Sequence, residues 1–418
     1  MLNNGYLCAV DIGSSKIAAA LALIKNNKIN NVFFDSFVSR GVKEGVIVDA
    51  TELVICLTKL LKGLKAVSGV KIKFVHANFS GKDISTKHSH AIIPLAERGN
   101  KVITSTDILA ANEQARILGS SLEDEIIHVI PSSYAIDSKS NVINPIGLYS
   151  HKLEVDLYLI CARLSSLQSL SRVVSQAGYE IRGLSFSGLT TAKAVFGPEE
   201  KRGVSVFCDL GSDVTELLIF RDGLLQDIQI LPLGGNILTQ QISESLKINF
   251  ELAEDIKRSH GVIGDSRHIP EDKEILVKKD EFYKPIKQKD VAETATNASR
   301  LISTQIKEAV QFKVALHEID HFIIVGRTLL TEGFIEMMEG VLGIPVALGR
   351  INHPEAARLV KEHPDLSGHK YLNFLTCLGM ICQDLEDKTV GSLALVKPAR
   401  HMLIKAAHRL KEVYQEYF

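Results

Sequence analysis

The stretch Asp11-Ile12-Gly13-Ser14-Ser15-Lys16-Ile17 lies near the start of this chain and predicts its fold. An apolar run from Leu7 to Val10 precedes it and another from Ile17 to Ile24 follows, so we expect two strands joined by a tight turn. At the tip, backbone N–H groups, two hydroxyls and one lysine ammonium suit a phosphate. Asp11, at the end of the first strand, is suited to hold a hydrated magnesium ion. Taken alone, the same pattern also fits an ordinary hairpin.

The pattern returns further along the chain, at Asp209-Leu210-Gly211-Ser212-Asp213-Val214-Thr215-Glu216-Leu217. Apolar runs flank it again, from Val204 to Cys208 and from Leu217 to Phe220. Two such hairpins with matching strands predict two similar lobes, each of which supplies one phosphate-binding hairpin to a shared cleft. The alternative is a coincidence between two ordinary turns.

Composition limits the class of protein. The chain has 418 residues, enough for two or more domains, and its apolar fraction of 45% is ordinary for a globular protein. A formal net charge of -1 argues against a general nucleic-acid binder. We see no signal peptide and no apolar run long enough to cross a membrane, so any membrane contact is expected to be peripheral. The six cysteines are expected to be buried free thiols of a reducing cytoplasm: Cys8, Cys56, Cys161, Cys208, Cys377 and Cys382.

Two helices carry recognisable start signals. Asp49 followed by Glu52 predicts a capped helix with an apolar stripe on one face. Ser105 or Thr106 is expected to cap a second helix that ends at Leu118. The stretch around this second helix has short strands at Glu125–Ile130 and Tyr134–Asp137, and we interpret it as a small inserted α+β module. The histidines of the module lack metal-ligand spacing and are expected to lie at the surface or form hydrogen bonds: His88, His90, His128 and His151.

Several motifs in a fixed order resemble the actin, Hsp70 and sugar-kinase superfamily. They are the two hairpins, Gly234-Gly235, the segment Ala253-Glu254-Asp255-Ile256-Lys257 and the turn at Gly326. Within that superfamily the chain is most similar to the bacterial FtsA family, because residues 128–137 and 144–148 of the module match the motifs of that family. The resemblance covers nearly the whole chain. It implies an α/β fold, an actin-like two-lobed ATPase with an inserted small α+β module of the FtsA type and a C-terminal amphipathic helix.

The same resemblance implies the domain boundaries. Lobe 1 is expected to combine residues 1–82, 163–200 and 371–392 (subdomain 1A), with the inserted module at 83–162 (subdomain 1C). Lobe 2 is expected to combine residues 201–235 and 300–370 (subdomain 2A) with residues 236–299 (subdomain 2B). Residues 393–418 would form the membrane-targeting tail.

The resemblance also implies a site for ATP and Mg2+. The first hairpin would hold the β- and γ-phosphates through Gly13, Ser14, Ser15 and Lys16, with Asp11 on the magnesium side. From the other lobe, Gly211, Ser212 and Thr215 would close over the phosphates, with Asp209 near the metal. Gly234 and Gly235 would approach the ribose and phosphates. Glu254 and Lys257 would contact the nucleoside, and the turn at Gly326 would pack on the base.

Two departures from the family pattern concern this site. Arg327 stands where relatives usually have a further glycine, so it would either stack on the adenine or crowd the site; a solvated loop charge is the alternative. The stretch from Leu184 to Thr190 has hydroxyls but no amide or carboxylate side chain to orient an attacking water. We therefore expect slow or absent ATP hydrolysis, with the nucleotide acting mainly as a conformational ligand.

The C-terminal residues carry a second functional signal. After Pro398, apolar and basic side chains recur at helical spacing, which predicts an amphipathic helix that can lie on an anionic membrane. The residues expected at the membrane are Lys397, Arg400, Leu403, Ile404, Lys405, Ala407, Arg409, Leu410, Tyr414 and Tyr417. A helix packed on the protein's own core is the alternative, because the preceding spacer is short and Glu412 and Glu416 disfavour anionic lipid.

Together these features predict an ATP-binding, actin-like cell-division scaffold. The resemblance implies a peripheral protein that polymerises on the inner face of the cytoplasmic membrane, at the division site, and tethers the ring of the tubulin-like protein FtsZ to it. Expected partners are FtsZ, further copies of the chain, anionic lipids and other division proteins, without nucleic acid. Two alternatives stay open: an actin-like scaffold of a pilus or secretion machine, and a small-molecule kinase of the same superfamily.

Overall fold

The chain forms two compact units. The computed structural model describes residues 4–26, 28–96, 99–137, 139–142, 144–264, 269–270, 273–279 and 282–389. Unit 1 comprises Met1–Ala194, Leu224–Gln226 and Asn352–Phe418, and unit 2 comprises Val195–Gly223 and Asp227–Ile351. The finer boundaries between subdomains stay a prediction.

Strands and helices alternate along both units. The strands are β1 (Asn4–Ile12), β2 (Lys16–Lys25), β3 (Lys28–Val38), β4 (Val42–Lys43), β5 (Val46–Ile47), β6 (Phe74–Phe79), β7 (Ile84–Pro94), β8 (Lys101–Val102), β9 (Asp124–Ile136), β10 (Lys139–Val142), β11 (Tyr149–Ser150), β12 (Lys152–Arg163), β13 (Glu180–Phe186), β14 (Val204–Leu210), β15 (Thr215–Arg221), β16 (Leu224–Leu231), β17 (Glu274–Lys279), β18 (Phe282–Lys287), β19 (His321–Val325) and β20 (Ala347–Leu348). The helices are α1 (Ala50–Ser68), α2 (Ser105–Leu118), α3 (Leu164–Gln176), α4 (Ser187–Val195), α5 (Asn236–Leu246), α6 (Phe250–His260), α7 (Gln288–Gln311), α8 (Phe334–Leu342), α9 (Pro354–Glu362) and α10 (Leu375–Thr389).

Unit 1 is built on a sheet with the strand order β13-β6-β1-β2-β3. β1 and β2 form the expected antiparallel hairpin, in continuous register until Ile12 pairs with Ile17. Residues Ile17 to Ala22 of β2 are fully buried, because α1 and α10 both pack against this strand. β6 runs parallel to β1, and β13 runs parallel to β6. The carboxyl ends of these three strands therefore meet at the edge that carries the first hairpin turn.

Helix α1 is capped at both ends. Asp49 has an extended backbone, and its side chain accepts a hydrogen bond from the N–H of Glu52, as the sequence predicts. Gly69 ends the helix with a φ of 68°, which favours glycine. The buried leucines of the predicted stripe, from Leu53 to Leu64, pack against β2 and β3. Local sequence therefore fixes the position of this helix.

The inserted module has a sheet of its own, in the order β10-β9-β12-β7, and a separate apolar core. The expected cap of α2 at Ser105 or Thr106 is wrong. Thr104 is the N-cap, and it forms a reciprocal capping box with Asp107 that satisfies two backbone N–H groups. The two strands expected at Glu125–Ile130 and Tyr134–Asp137 are a single strand, β9, because a bulge beside Pro131 maintains its pairing with β12.

The C-terminal part of unit 1 differs from the sequence prediction at two points. Helix α9 was not predicted; it starts with Pro354, whose fixed φ suits the first helical position. The apolar pattern predicts a helix at Tyr371–Leu385, but helix α10 begins at Leu375, because residues Lys370–Asn373 form a 3₁₀ turn before it.

Unit 2 contains a second sheet with the order β16-β15-β14-β19-β20. β14 and β15 form the second expected hairpin, which closes where Leu210 pairs with Thr215. β19 runs parallel to β14, so the turn at Gly326 lies at the same edge as Gly211. A smaller region made of α5, α6, β17, β18 and the start of α7 has its own apolar core. The apolar pattern predicts a helix at Val291–Leu316, but helix α7 starts at Gln288 and ends at Gln311.

All six cysteines are free, and Cys56 alone among them is not fully buried. Burial raises the pKa of the Cys8 thiol to about 12, so this group is protonated at neutral pH. Within the described ranges, no helix combines the length and the apolar character that a membrane span requires.

Candidate functional site

Asp11 and Lys16 form an ion pair at the tip of the first hairpin. Lys16 Nζ lies 3.1 Å from Asp11 Oδ2 and also donates to the backbone carbonyl of Asn373. The turn between them closes through a 3.0 Å hydrogen bond from the N–H of Gly13 to the carbonyl of Lys16. The structure therefore brings the predicted cation and the predicted magnesium carboxylate together, with the ammonium held between two acceptors.

Asn78, at the end of β6, fixes the Asp11 carboxylate. Its amide nitrogen donates to Asp11 Oδ1 at 2.8 Å and to Ser187 Oγ at 2.9 Å. Its amide oxygen accepts from the N–H of Ile12 at 2.7 Å. Asn78 is not among the predicted site residues, although a polar side chain inside the apolar run of β6 is a signal for one. Asn78 supplies an amide beside α4, but its hydrogen-bonding groups are occupied within the protein.

The serines of the first hairpin are held by the small β4–β5 hairpin. Ser14 Oγ accepts from the N–H of Gly45 at 3.2 Å, and the N–H of Ser39 donates to the carbonyl of Ser15. Gly45 has a φ of 75°, and a Cβ there would lie 2.5 Å from the carbonyl oxygen of Ser80. A small open pocket lies beside this contact, with Ile12, Gly45 and Asn78 in its wall. The hairpin tip is thus positioned by backbone contacts that only glycine permits.

In unit 2, the Gly234-Gly235 segment is hydrogen-bonded onto the second hairpin. The N–H of Gly235 donates to the carbonyl of Gly211 at 2.9 Å, and the N–H of Asn236 donates to the carbonyl of Ser212 at 2.8 Å. The side-chain amide of Asn236 also donates to Asp213 Oδ1 at 2.6 Å. Four predicted nucleotide-binding residues are therefore neighbours: Gly211, Ser212, Gly234 and Gly235.

Close packing explains the glycines of this cluster. A Cβ on Gly234 would lie 2.4 Å from the carbonyl oxygen of Ser212, and a Cβ on Gly235 would lie 2.0 Å from Thr328 Oγ1. Gly326 has a φ of 129°, and a Cβ there would lie 2.2 Å from the carbonyl oxygen of Leu210. Two separate segments, residues 234–235 and 326–328, approach the second hairpin or each other at distances that exclude larger residues. A backbone this exposed to close approach suits a phosphate or ribose ligand.

Glu254 and Lys257 pair on helix α6, beside the glycines. Lys257 Nζ lies 2.5 Å from Glu254 Oε2, and both groups also bind Thr239 Oγ1. Burial lowers the pKa of Lys257, and the charge of Arg327 contributes to the same shift. Burial also acts to raise the pKa of Glu254, but the adjacent Lys257 holds it below the ordinary value. Arg327 therefore lies within electrostatic range of the predicted nucleoside contacts.

Thr215 and Asp209 occupy the strands of the second hairpin. Thr215 is fully buried, and its hydroxyl donates to the carbonyl of Leu233 at 2.8 Å, so this side chain supports the glycine segment from inside. Asp209 pairs across the strands with Glu216, which places two carboxylates side by side. The described residues contain no group of three or more His, Cys, Asp or Glu side chains arranged to hold a metal. Single carboxylates suit magnesium, because this ion keeps most of its waters.

Several histidines of unit 1 form hydrogen bonds or ion pairs. His128 Nε2 accepts from the N–H of Phe186 at 2.8 Å, and burial lowers its pKa to about 3. His76 Nε2 lies 2.8 Å from Ser185 Oγ, while its Nδ1 lies 3.2 Å from Asp384 on α10. These contacts connect the module and the C-terminal helix to β13. The ten predicted membrane residues, from Lys397 to Tyr417, lie outside the described residues.

Two family models match this chain. A model described as "Cell division protein FtsA" matches residues 206–368, and a model described as "SHS2 domain inserted in FTSA" matches residues 81–161. The second range coincides with the inserted module, and the two ranges together span more than half of the chain. The cell division protein FtsA of Borreliella burgdorferi is 23% identical over 415 residues, which cover 98% of each chain. FtsA of Neisseria meningitidis serogroup B is 24% identical over 358 residues, covering 82% of this chain and 83% of that protein.

Solved structures show the same fold at low sequence identity. A chain of a PilM–PilN type IV pilus biogenesis complex matches with a TM-score of 0.62 and 14% identity, over 91% of this chain and 98% of that chain. MreB5 of Spiroplasma citri bound to ADP matches with a TM-score of 0.51 and 12% identity, over 91% and 98% of the two chains. At such identities these structures establish the actin-like fold alone. Taken with the two family matches and the inserted module, they show that the chain belongs to the FtsA family of actin-like cell-division proteins.

Proposed function

We propose that this chain is an ATP-binding cell-division scaffold that polymerises on the inner face of the cytoplasmic membrane and tethers FtsZ there. The observation that carries the proposal is the inserted module. Its sheet spans β7 to β12, and its range matches the FtsA-specific insertion. Membership of the FtsA family favours the division scaffold over a scaffold of a pilus or secretion machine.

Nucleotide binding is proposed for both hairpins. In unit 1, Gly13, Ser14 and Ser15 would bind phosphate through backbone N–H groups. Lys16 would add a positive charge after its ammonium moves from the Asp11 carboxylate towards the phosphate. In unit 2, the glycines at 211, 234 and 235 would allow the ligand to reach the backbone. Support comes from MreB5 of Spiroplasma citri, which shares the fold and was solved with ADP and with AMPPNP.

The nucleoside side of the site is proposed for α6 and the turn after β19. Glu254 and Lys257 already form a preorganised polar pair, and Arg327 lies within electrostatic range of it. Lys257 would keep its charge through Glu254 and present it to the ligand. Asp11 in unit 1 and Asp209 in unit 2 each offer a carboxylate that suits a hydrated magnesium ion, and such an ion would neutralise part of the phosphate charge. We propose that the nucleotide biases the conformation of the chain more than it is consumed.

Membrane attachment is proposed for the tail. The sequence from Lys397 to Tyr417 combines basic and apolar residues, with hydrophobic side chains at helical spacing. Assembly on the membrane would proceed through surfaces that include the module. The chain would then link the FtsZ ring to the lipid. Other division proteins would bind to the assembled scaffold.

A reconstitution with FtsZ tests the proposal. Fluorescent FtsZ is mixed with anionic vesicles and the full chain in the presence of ATP, and the vesicles are floated. FtsZ should float only when the full chain is present. A truncation after Lys397 should bind FtsZ in solution but leave it unfloated. Leu410→Asp should act like the truncation, whereas Glu412→Gln, the matched control on the polar face, should not. Failure of the full chain to bind FtsZ in any condition would overturn the tethering function.

A further inference from the structure

The strand starts of unit 1 lie together at one end of its sheet. β1, β6 and β13 are parallel and begin at this end, β2 ends there, and β3 starts there. α1 and α3 also end there, because each is followed directly along the chain by β6 or β13. The opposite end carries the first hairpin turn with Gly13 and Ser14. The end of the sheet where the strands start and the end that carries the hairpin turn therefore form two different surfaces of unit 1.

Basic side chains crowd the end where the strands start. They come from the β2–β3 turn, the last turn of α1, the segment before β6 and the first residues of β13, and all of them are exposed. We name this set the basic edge: Lys25, Lys28, Lys65, Lys71, Lys73 and Arg182. Six cations on one end of one sheet create a local positive potential, although the chain as a whole has a net charge of -1.

Nearby carboxylates cancel only part of this charge. Glu180 lies 3.5 Å from Lys73. Glu355 and Glu362 both bind Arg358 of α9, whose guanidinium also donates to the carbonyl of Ile29. On α10, Asp384 and Glu386 lie within ion-pair distance of His76 and His353. In the part of the chain that the structure describes, four lysines of the basic edge form no ion pair: Lys25, Lys28, Lys65 and Lys71.

Apolar surface is interleaved with the cations. Lys73 Nζ and Arg182 Cζ lie 5.1 Å and 5.5 Å from the centroid of the Phe74 ring. Val67, in the last turn of α1, is 66% exposed. Long cationic side chains beside exposed apolar groups suit the boundary of a bilayer, because the charges reach lipid phosphates while the apolar atoms leave water.

The direction of α10 brings the chain to this end. Asn373, just before the helix, accepts from Lys16 at the hairpin end, while Asp384 lies 3.2 Å from His76 near the start of β6. The helix therefore runs from the hairpin towards the basic edge, and the described chain stops there at Thr389. The residues that follow include five further cations: Lys397, Arg400, Lys405, Arg409 and Lys411.

We propose that the basic edge is a second contact with the anionic surface of a membrane and that it acts together with the tail. The inference rests on the proposed membrane role of the chain and deepens it, since two contacts fix an orientation that one flexible attachment does not. Unit 1 sits with its strand starts towards the lipid and with the Gly13 turn directed away from it. Each basic residue near an anionic surface strengthens binding roughly fivefold.

Flotation with vesicles tests this contact. The full chain is compared with a triple variant, Lys25→Gln, Lys65→Gln and Lys71→Gln, on phosphatidylcholine vesicles with and without phosphatidylglycerol. The matched control removes three exposed cations at the opposite end of unit 1: Arg40→Gln, Lys43→Gln and Lys370→Gln. The triple variant should need roughly a hundredfold more anionic lipid for half-binding, and the control should bind like the unmodified chain. Single substitutions should give graded losses with unchanged thermal unfolding.

The outcomes separate this inference from the tail anchor. Equal binding of the triple variant and the control would overturn the basic edge and leave the tail as the anchor. A truncation after Lys397 that still floats, while the same truncation with the triple substitution does not, would support the basic edge and overturn the tail. No flotation of the full chain at any lipid composition would overturn both.

Discussion

The amide nitrogen of Asn78 donates to Oδ1 of Asp11 at 2.8 Å, so a side chain from β6 fixes the carboxylate at the end of β1. Asn78→Ala would leave the buried N–H of Ile12 and one oxygen of Asp11 without this partner. We expect the free energy of unfolding to fall by about 1–3 kcal/mol, the usual cost of unsatisfied buried polar groups. Urea unfolding of the variant measures this loss.

Asn31→Ala is the matched control for Asn78. Asn31 is exposed, and its side-chain oxygen accepts only from the adjacent N–H of Val32 among its described hydrogen bonds. Its replacement should change the free energy of unfolding by less than about 0.5 kcal/mol. Equal losses for the two variants would show that Asn78 has no special role at Asp11.

Gly235 and Thr328 are packed too closely for any side chain at position 235. Gly235→Ala would place a Cβ 2.0 Å from Thr328 Oγ1, so we expect a loss of about 1–3 kcal/mol in stability and weaker ATP binding. The double variant Gly235→Ala with Thr328→Ala removes the clashing oxygen and should recover part of both. Thermal unfolding and titration with a fluorescent ATP analogue measure the two effects.

Gly340→Ala provides the control for the glycine variants. This residue lies inside α8, and a Cβ there would meet no atom within 4 Å. Alanine should stabilise the helix by roughly 0.5–1 kcal/mol, because it restricts the unfolded chain more than glycine does. If Gly235→Ala were equally harmless, the contact with Thr328 would not restrict position 235.

The pair of Glu254 and Lys257 should give an acid-dependent stability. The pKa of Glu254 is lower in the folded protein than in the unfolded chain, so the stabilisation is complete above the ordinary pKa and is lost as pH falls through the folded value. Glu254→Gln would leave the buried ammonium of Lys257 without its anion, at a cost of about 1–3 kcal/mol near neutral pH. Lys257→Met should cost less, since a thioether needs no ionic partner. A larger loss for Lys257→Met would contradict this order.

Buried His128 should make the protein sensitive to mild acid. The pKa of His128 in the folded protein is about 3. Between this value and about 6.5, the imidazole is neutral in the folded protein but binds a proton in the unfolded chain. Stability should therefore fall by about 1.4 kcal/mol for each pH unit below roughly 6.5. His128→Gln, whose side-chain oxygen can still accept from Phe186, should flatten this slope. His369→Gln, an exposed control, should leave the slope unchanged.

Turnover of ATP should be slow. The stretch from Leu184 to Thr190 offers no amide or carboxylate, and the nearby amide of Asn78 is occupied by Asp11, Ser187 and Ile12. We expect a steady-state rate well below about one per second, the lower end of active phosphotransferases. A phosphate-release assay with and without vesicles measures it. A rate near one per second would contradict the proposal that the nucleotide is mainly a conformational ligand.

Features set by local sequence were predicted well. The two hairpins depend on strand–turn–strand patterns of fewer than twenty residues, and the cap at Asp49 depends on a residue three positions away. The cap of α2 was placed wrongly because three consecutive residues, Thr104 to Thr106, all have capping side chains. Only the backbone of Thr104 is extended, which local sequence does not reveal.

Contacts between distant residues could not be predicted from the pattern. Asn78 joins partners that are 66 to 109 positions away, and Lys16 reaches Asn373 across 357 positions. The resemblance to a family supplied the positions of Gly234, Lys257 and Gly326. It did not reveal their contacts within the protein, which are with Ser212, Thr239 and Leu210.

The inserted module leaves its host and returns to it at adjacent points. Ile84 pairs with Ala162 across β7 and β12, and the N–H of Arg163 donates to the carbonyl of Asp83 at 3.0 Å. The host chain is thus already closed at the point of insertion, without a gap that the module must bridge. Because the two ends of the module are adjacent, the whole insertion can be enlarged, reshaped or exchanged during evolution without a change in the strand pairing of the host sheet.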